Sequence, residues 1–499
     1  MKNIKRRLIS IIVFILLILC ISSCKKPEES KEIQLSIISI NDFHGQLEEQ
    51  TDGSAGAARI GSFINEIRGS NPEGTVLLAA GDMFQGTGIS NVGYGLDVVN
   101  FMNMVDFDAM TIGNHEFDWG LDTVLKYRDG NLDNGEAEFP FLSSNIYQKS
   151  IEDSPKYIDD YTIIERQGIK IAVIGYIGYD QVNDIATGMI QDYEFLKPYD
   201  IVKEKIKKVR TEEKADVVII CCHDDDPGIN SLLANGVGEY EVDAIINAHT
   251  HDIEASRIYR PQDGRYVTVV QSSSSGAMVG LTTLTFNKQK NDVTEAATRN
   301  YPMVRSRTKS SEVESFVSSI IEKYQPIFGR ELCVAGTNIS RIAGTSWAAS
   351  ALFNYANKEL GDFDIAFINS GGIRASAFPF TKGQVVTVND AYKIMPFDNT
   401  IKTTRLLGKH IISIINISEV VYFGNISFEN GQYFVNGVLI NEEAYYNVVA
   451  IDYIFDKPSY PFKHGVDTIA TGIYFRDAII YELDYIGQNN MTWLGDNNE

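Results

Sequence analysis

Five short runs rich in Ile, Val and Leu in this chain each stop on Asp, Asn or His. Leu35–Ile40 leads into Asn41-Asp42-Phe43-His44-Gly45, and Thr75–Ala80 into Gly81-Asp82-Met83-Phe84-Gln85-Gly86. A third apolar stretch ends in Gly113-Asn114-His115-Glu116-Phe117-Asp118, Asp216–Cys222 ends at His223, and Asp243–Ala248 ends at His249-Thr250-His251. Runs of this length and composition predict strands buried on both faces, as does Ile171–Ile177. Stretches of helical period between them, such as Ala57–Arg68 and Tyr199–Arg210, predict helices, and the alternation predicts an α/β domain. Sheets of that class place ligands at the carboxyl ends of their strands, where these polar segments stand. Taken singly, each segment is an ordinary turn, because Asp, Asn and Gly favour turns. Together they hold five of the seven histidines in the chain, and coincidence explains that poorly.

Carboxylates and neutral imidazoles in one place are what a site for two divalent metal ions needs. Such donors suit Zn, Fe, Mn and related ions, and the lack of Cys among them argues against a structural zinc site. One Asp can bridge two ions about 3.5–4 Å apart, so that both act on one phosphoryl group. If His249-Thr250-His251 is extended, its two imidazoles point to the same side.

Length and charge narrow the setting. A chain of 499 residues exceeds what one core organises, which predicts two domains. Its net charge of −22 repels nucleic-acid backbones and disfavours a polymeric nucleic-acid partner. Metal ions can locally invert that charge, so a small phosphate ester is still admitted. Lys2, Lys5, Arg6 and Arg7 precede an apolar run from Leu8 to Ile21, a positive region and a hydrophobic region too short to span a membrane comfortably. The run ends in Ile21-Ser22-Ser23-Cys24, which resembles the lipobox of bacterial lipoproteins. That likeness implies cleavage before Cys24, acylation of Cys24 and a folded part outside the cytoplasm; an uncleaved anchor is the rival. Cys221, Cys222 and Cys333 are too few and too badly spaced for a disulfide framework and read as buried thiols.

The α/β pattern closes near Phe286, after Val267–Gln271 and Leu281–Phe286, where a polar run from Asn287 to Thr298 breaks it. Ser311–Tyr324 places Val313, Phe316, Val317, Ile320, Ile321 and Tyr324 on one helical face, as a connecting helix would. Beyond about Phe328 a second mixed pattern begins. It carries Asn369-Ser370-Gly371-Gly372-Ile373-Arg374 and Met395-Pro396-Phe397-Asp398-Asn399-Thr400. Glycines at 371 and 372 let backbone approach a ligand, and the guanidinium of Arg374 matches phosphate oxygens. The plainer reading is a glycine turn with a surface Arg.

The strand-end segments resemble the calcineurin-like metallophosphoesterase signature, and the longer pattern, over residues 33 to 499, resembles the 5′-nucleotidase family within it. The resemblance implies that Asp42, His44, Asp82 and His251 hold one metal, and that Asp82, Asn114, His223 and His249 hold the other, with Asp82 bridging. Some members carry Gln or Asn at the position of His251. It implies that water activated by the two metals attacks phosphorus, with His115 as partner of a non-bridging or leaving oxygen and Asp118 orienting its ring. Three residues separate these two, so one helical turn would bring them together; alternatively Asp118 is an acid favoured at a helix start. It further implies that Asn369, Gly372 and Arg374 bind substrate and that Phe397 stacks on the base. Arg341, ahead of a predicted helix Ser346–Asn357, stands where the family places another phosphate-binding Arg, although Gly344 replaces the usual acid.

The second half of the base clamp departs from the family pattern. An aromatic residue followed by Gly-Gly-Asp-Gly is usual there, whereas this chain reads Asp452-Tyr453-Ile454-Phe455-Asp456. Tyr453 either takes the stacking place or is ordinary core.

The expected architecture is therefore a lipoprotein signal peptide (1–23), a tether (24–32), an N-terminal layered α/β metallophosphoesterase domain (33–300), a linking helix (301–327) and a C-terminal mixed α/β substrate-binding domain (328–499). The expected activity is extracytoplasmic release of phosphate from nucleoside 5′-phosphates with two divalent ions (Zn, Mn, Fe, Co or Mg). The rivals are a 2′,3′-cyclic-nucleotide or nucleotide-sugar phosphoesterase and a non-catalytic surface lipoprotein that binds nucleosides or a host protein.

Overall fold

The computed structural model describes residues 32–50 and 53–495. The signal peptide, Cys24 and the tether up to residue 31 lie outside the described residues. Two sheets lie face to face in the N-terminal half. The first orders its strands Asp292–Pro302, Met278–Asn287, Glu32–Ile40, Thr75–Ala79, Ala109–Thr111, Phe141–Leu142 and Ile158–Asp159. The second orders them Ile253–Arg260, Arg265–Ser272, Ala244–Ile246, Val217–His223, Ile169–Ile177 and Tyr161–Arg166.

Period-two alternation explains why the apolar runs become strands covered on both sides. Leu35, Ile37, Val76, Leu78, Ile171, Val173, Ile219 and Cys221 fill the layer between the sheets. Their neighbours point outward. Ile38, Ile40, Leu77 and Ala79 pack under helices Ala57–Ser70, Leu96–Met104 and Ser311–Phe328, and Ala172, Ile174, Val218 and Ile220 pack under Pro198–Thr211 and Pro227–Ala234. The result is four layers, helix, sheet, sheet, helix. Each fully buried aliphatic side chain contributes about 1.5–3 kcal/mol, and a one-residue slip would exchange the two apolar layers. The same alternation puts Cys221 between the sheets and Cys222 beneath the helices, both as buried free thiols, as is Cys333.

Three expectations need correction. The polar run Asn287–Thr298 does not end the sheet: Asp292–Pro302 pairs antiparallel with Met278–Asn287 as an edge strand. An edge strand buries few of its side chains, so its residues read as polar. The helix expected over Ser346–Asn357 spans Arg341–Glu359, because the Ser340 hydroxyl accepts from Ala343 N at its start and caps the first turn. Arg341 is therefore the first residue of that helix and not ahead of it. The helix read over Ser311–Tyr324 runs a turn further, to Phe328, and buries Val313, Val317 and Ile320.

In the C-terminal half a five-stranded sheet runs Val420–Gly424, Ile365–Asn369, Tyr445–Ile451, Thr400–Leu407 and Val466–Tyr474. Helices Arg341–Glu359 and Phe475–Gln488 bury Trp347, Leu352, Ile479 and Leu483 in its core. Ile365–Asn369 and Tyr445–Ile451 are parallel neighbours. Their carboxyl ends therefore deliver the Asn369–Arg374 turn and the Asp452-Tyr453 turn to the same edge of the sheet.

Candidate active site

The five strand ends of the N-terminal half converge. His44 Nε2 lies 3.2 Å from His251 Nε2, which is 3.4 Å from Asp42 Oδ1. Alongside, His223 Nε2 lies 3.2 Å from Asp82 Oδ2 and 3.0 Å from Asn114 Oδ1, and His249 Nδ1 is 3.0 Å from the same Asn114 oxygen. Asp82 also groups with His44 and His115. All seven residues expected to bind metal thus stand in two adjoining sets, with Asp82 between them.

The segment His249-Thr250-His251 is not extended, so the condition for its imidazoles to share a side is not met. Its strand ends at Ile246, and both histidines have left-handed backbone, φ 79° and 62°. The turn sends His251 to the Asp42 set and His249 to the Asp82 set. Asp42, His44 and Asp82 also have positive φ, 48°, 51° and 55°. Such conformations cost on the order of 1–3 kcal/mol each and persist where the surroundings over-determine them. Close approach demands Gly113 as well, since a Cβ there would lie 2.3 Å from Asp82 Oδ1.

Several residues that orient this set were not singled out from the sequence. Glu116 is fully buried and its carboxylate accepts from the backbone N–H of Asp82, Met83 and Gly113 at 2.8–3.0 Å, binding two of the strand-end turns together. The Asn41 amide donates to Asp42 Oδ2 at 2.7 Å. His44 Nδ1 donates to Gln85 O and His223 Nδ1 to Ala80 O, at 3.0 and 2.8 Å. A carbonyl can only accept, so both rings keep their proton on Nδ1 and turn Nε2 toward the site. Glu116 and Asn41 stand in the quoted motifs, but the carbonyl partners carry no side-chain signal.

Electrostatics follow from burial and pairing. Burial works to raise the Asp82 carboxyl, but the imidazoles of His223 and His115 outweigh it and hold it well below the usual carboxylate range. Burial likewise works to lower His223, yet Asp82 lifts it to about 10. Burial, reinforced by Arg374, holds His44 well below the ordinary imidazole value. Burial pushes Glu116 up to about 7, with Asp82 adding to the rise. Binding a divalent ion here displaces protons from imidazole, so occupancy falls as pH falls.

The opposite wall comes from the C-terminal half. His115 donates from Nδ1 to Asp118 Oδ2 at 2.8 Å, across a short 3-10 turn Asn114–Phe117. Its Nε2 is 3.1 Å from Arg374 Nη2. Phe397 stacks on the His115 ring, centroids 5.5 Å apart at 30°, and Arg374 lies 4.6 Å from the Phe397 centroid. Asn369 is buried and its Oδ1 has no hydrogen-bond partner, while a Cβ on Gly372 would approach that oxygen to 3.0 Å. Arg341 donates from Nε to Ile373 O and from Nη2 to Ser370 O, at 3.1 and 3.0 Å, bracing the glycine turn. Tyr453 is half-buried against the core with Lys457 Nζ 4.4 Å from its centroid. Next to it, Asp452 accepts from Asn399 Nδ2 and Thr400 N, both at 2.9 Å, so the turn bearing Tyr453 is tied to the segment bearing Phe397. A cleft of about 1230 Å³, lined by His44, His251, Arg341, Gly371 and Arg374 among others, opens between the halves.

The donor set tests whether two divalent ions fit. It offers two carboxylates, an amide oxygen and four imidazole nitrogens, no thiolate, and its ligand atoms already converge, as borderline divalent ions require. A layered α/β fold with such a site defines a metallophosphoesterase. The calcineurin-like phosphoesterase family matches residues 35–252, and the 5′-nucleotidase C-terminal domain family matches residues 337–462. An apyrase from Tabanus yao is 30% identical over 424 residues, covering 77% of this chain and 73% of the relative. A 5′-nucleotidase from Vibrio vulnificus is 27% identical over 432 residues, covering 77% and 75%. Among solved structures, a 5′-nucleotidase precursor from Thermus thermophilus shares the fold with a TM-score of 0.75 at 21% identity, covering 91% of this chain and 97% of that one. The chain belongs to the 5′-nucleotidase family, and it is a hydrolase of phosphoric esters that depends on two divalent metal ions.

Proposed function

We propose that this chain releases phosphate from nucleoside 5′-phosphates outside the cytoplasm, tethered to the membrane by lipid on Cys24. The observation that carries the nucleotide reading is the junction at His115: a guanidinium and an aromatic face from one half meet the metal-ligand turns of the other. The division at 33–300, 301–327 and 328–499 belongs to the same reading, with the substrate between the outer two parts. Asp42, His44, Asp82 and His251 would hold one ion and Asp82, Asn114, His223 and His249 the other. Two divalent ions held by these residues would supply Lewis-acid polarisation of the phosphoryl group and of a water.

The protein's own groups do the rest. Asp118 holds the Nδ1 proton of His115, so Nε2 is the nitrogen that faces substrate. Burial works against a charged His115, but Asp118 and Asp82 raise its affinity for a second proton, which Nε2 can donate to a phosphoryl or leaving oxygen. Arg374 pairs with the phosphate, and Arg341 braces the turn that carries it. Phe397 offers a stacking face, Tyr453 would supply the second half of a base clamp, and the unpartnered Asn369 oxygen suits a hydroxyl or amino donor on the nucleoside.

The test is phosphate release from AMP by the full-length chain, stripped of metal and resupplied with Mn²⁺, Zn²⁺ or Mg²⁺, with ADP, a UDP-sugar and a 2′,3′-cyclic nucleotide alongside. AMP turnover that vanishes on chelation and returns with metal is expected. Preference for a cyclic nucleotide or UDP-sugar would move the substrate assignment, and silence on all of them would favour a binding lipoprotein. Among the described residues no helix is long and apolar enough to cross a membrane. The anchor is checked separately: a labelled fatty acid should be incorporated into the wild-type chain and not into Cys24→Ser, and a wild-type chain that takes up no label refutes lipidation at Cys24.

A further inference from the structure

Arg476, in the first turn of helix Phe475–Gln488, is 4% exposed. Its Nη1 lies 3.4, 3.2 and 3.1 Å from the carbonyl oxygens of Met395, Pro396 and Phe397, and its Nη2 donates to Asp398 Oδ1 at 2.6 Å. The Tyr392 ring lies 4.0 Å from the guanidinium. One buried cation thus binds four successive residues just beyond helix Val388–Ile394, where backbone carbonyls have left the helical ladder. The turn it gathers is the one that places Phe397 against His115. It is also the turn that meets the metal-bearing half, because Asn91 Nδ2 donates to Pro396 O at 2.6 Å while Asn91 Oδ1 accepts from Gly86 N.

We propose that Arg476 is a positioning residue for substrate binding. It holds residues 395–398 in the one conformation that sets the Phe397 ring beside His115 and Arg374. Arg476 acts through Phe397, and the assignment rests on the nucleotide reading above. A lysine would replace it only in part, since one ammonium cannot reach all four acceptors that the planar fork spans. Asp398 balances the buried charge, so the pair works as a unit.

The experiment is steady-state kinetics of full-length, Mn²⁺-loaded wild type, Arg476→Met, Arg476→Lys, Asp398→Asn, Phe397→Ala and the double variant Arg476→Met/Phe397→Ala. Substrates are AMP and p-nitrophenyl phosphate, which carries no nucleoside for Phe397 to hold. Misplacing a binding group by about 1 Å can change rates on the order of 100-fold, so Arg476→Met should raise KM for AMP by about tenfold or more. Turnover of p-nitrophenyl phosphate should stay within about twofold, and the double variant should be no worse on AMP than Phe397→Ala alone. Arg476→Lys and Asp398→Asn should raise KM less, and they decide the matter if Arg476→Met does not fold. An unchanged KM for AMP, equal losses on both substrates, or multiplying effects in the double variant would overturn the assignment. Wild type active on p-nitrophenyl phosphate and inert on AMP would instead sink the nucleotide reading, and the assignment with it.

Discussion

Asp82→Ala should abolish metal-dependent phosphate release. Among the described residues Asp82 is the one carboxylate that faces both metal sets, with His223 3.2 Å away on one side and His44 and His115 on the other. Metal ions supply several kcal/mol of charge stabilisation in the transition state, and each 1.36 kcal/mol is tenfold in rate, so the loss should be at least about 10³-fold. Inductively coupled plasma measurements should show fewer than two metals per chain, with far-ultraviolet circular dichroism unchanged. The strands that form the turn are held by the layer between the sheets, and Glu116 still gathers the turn's amides. A variant that keeps both metals and loses less than about tenfold would show that Asp82 does not bridge.

His115→Ala should leave both metals bound and lower kcat by about 10²–10⁴, the range for a positioned proton donor. The two substitutions therefore separate cleanly: one empties the site, the other disarms it. Asp118→Asn should cost less, about 10–100-fold, because it disturbs only the orientation and tautomer of the ring. A His115→Ala enzyme within about threefold of wild type would remove His115 from the chemistry and leave its contact with Phe397 as its role.

Much of this site could be read in the order of residues because metal ligands here sit directly beyond strands. A run such as Val217–His223 announces itself through apolar β-branched content, and its last residue necessarily emerges at the sheet's edge. The same logic failed for His249-Thr250-His251. Side-chain alternation holds only while the backbone is extended, and the left-handed φ at both histidines reflects packing against Asp42, whose carboxylate accepts the His249 N–H at 3.1 Å. It failed again at Asp292–Pro302, where an edge strand with one wet face looks like a polar loop. Tyr453 shows a third kind of limit. Its aromatic character suits core and clamp equally, and only the Asp452 hydrogen bonds tie its turn to the Phe397 segment.

By itself the sequence determined which side chains could bind metal and that they would lie at strand ends, because those properties depend on residue type and on contacts a few residues apart. Tertiary structure alone decided the left-handed turn that parts His249 from His251, how Glu116 gathers the amides of two turns, and that Arg476, some eighty residues from Phe397 along the chain, holds its turn. Those outcomes rest on backbone carbonyls and amides, which every residue carries alike. Their direction is set only when sheets and helices pack.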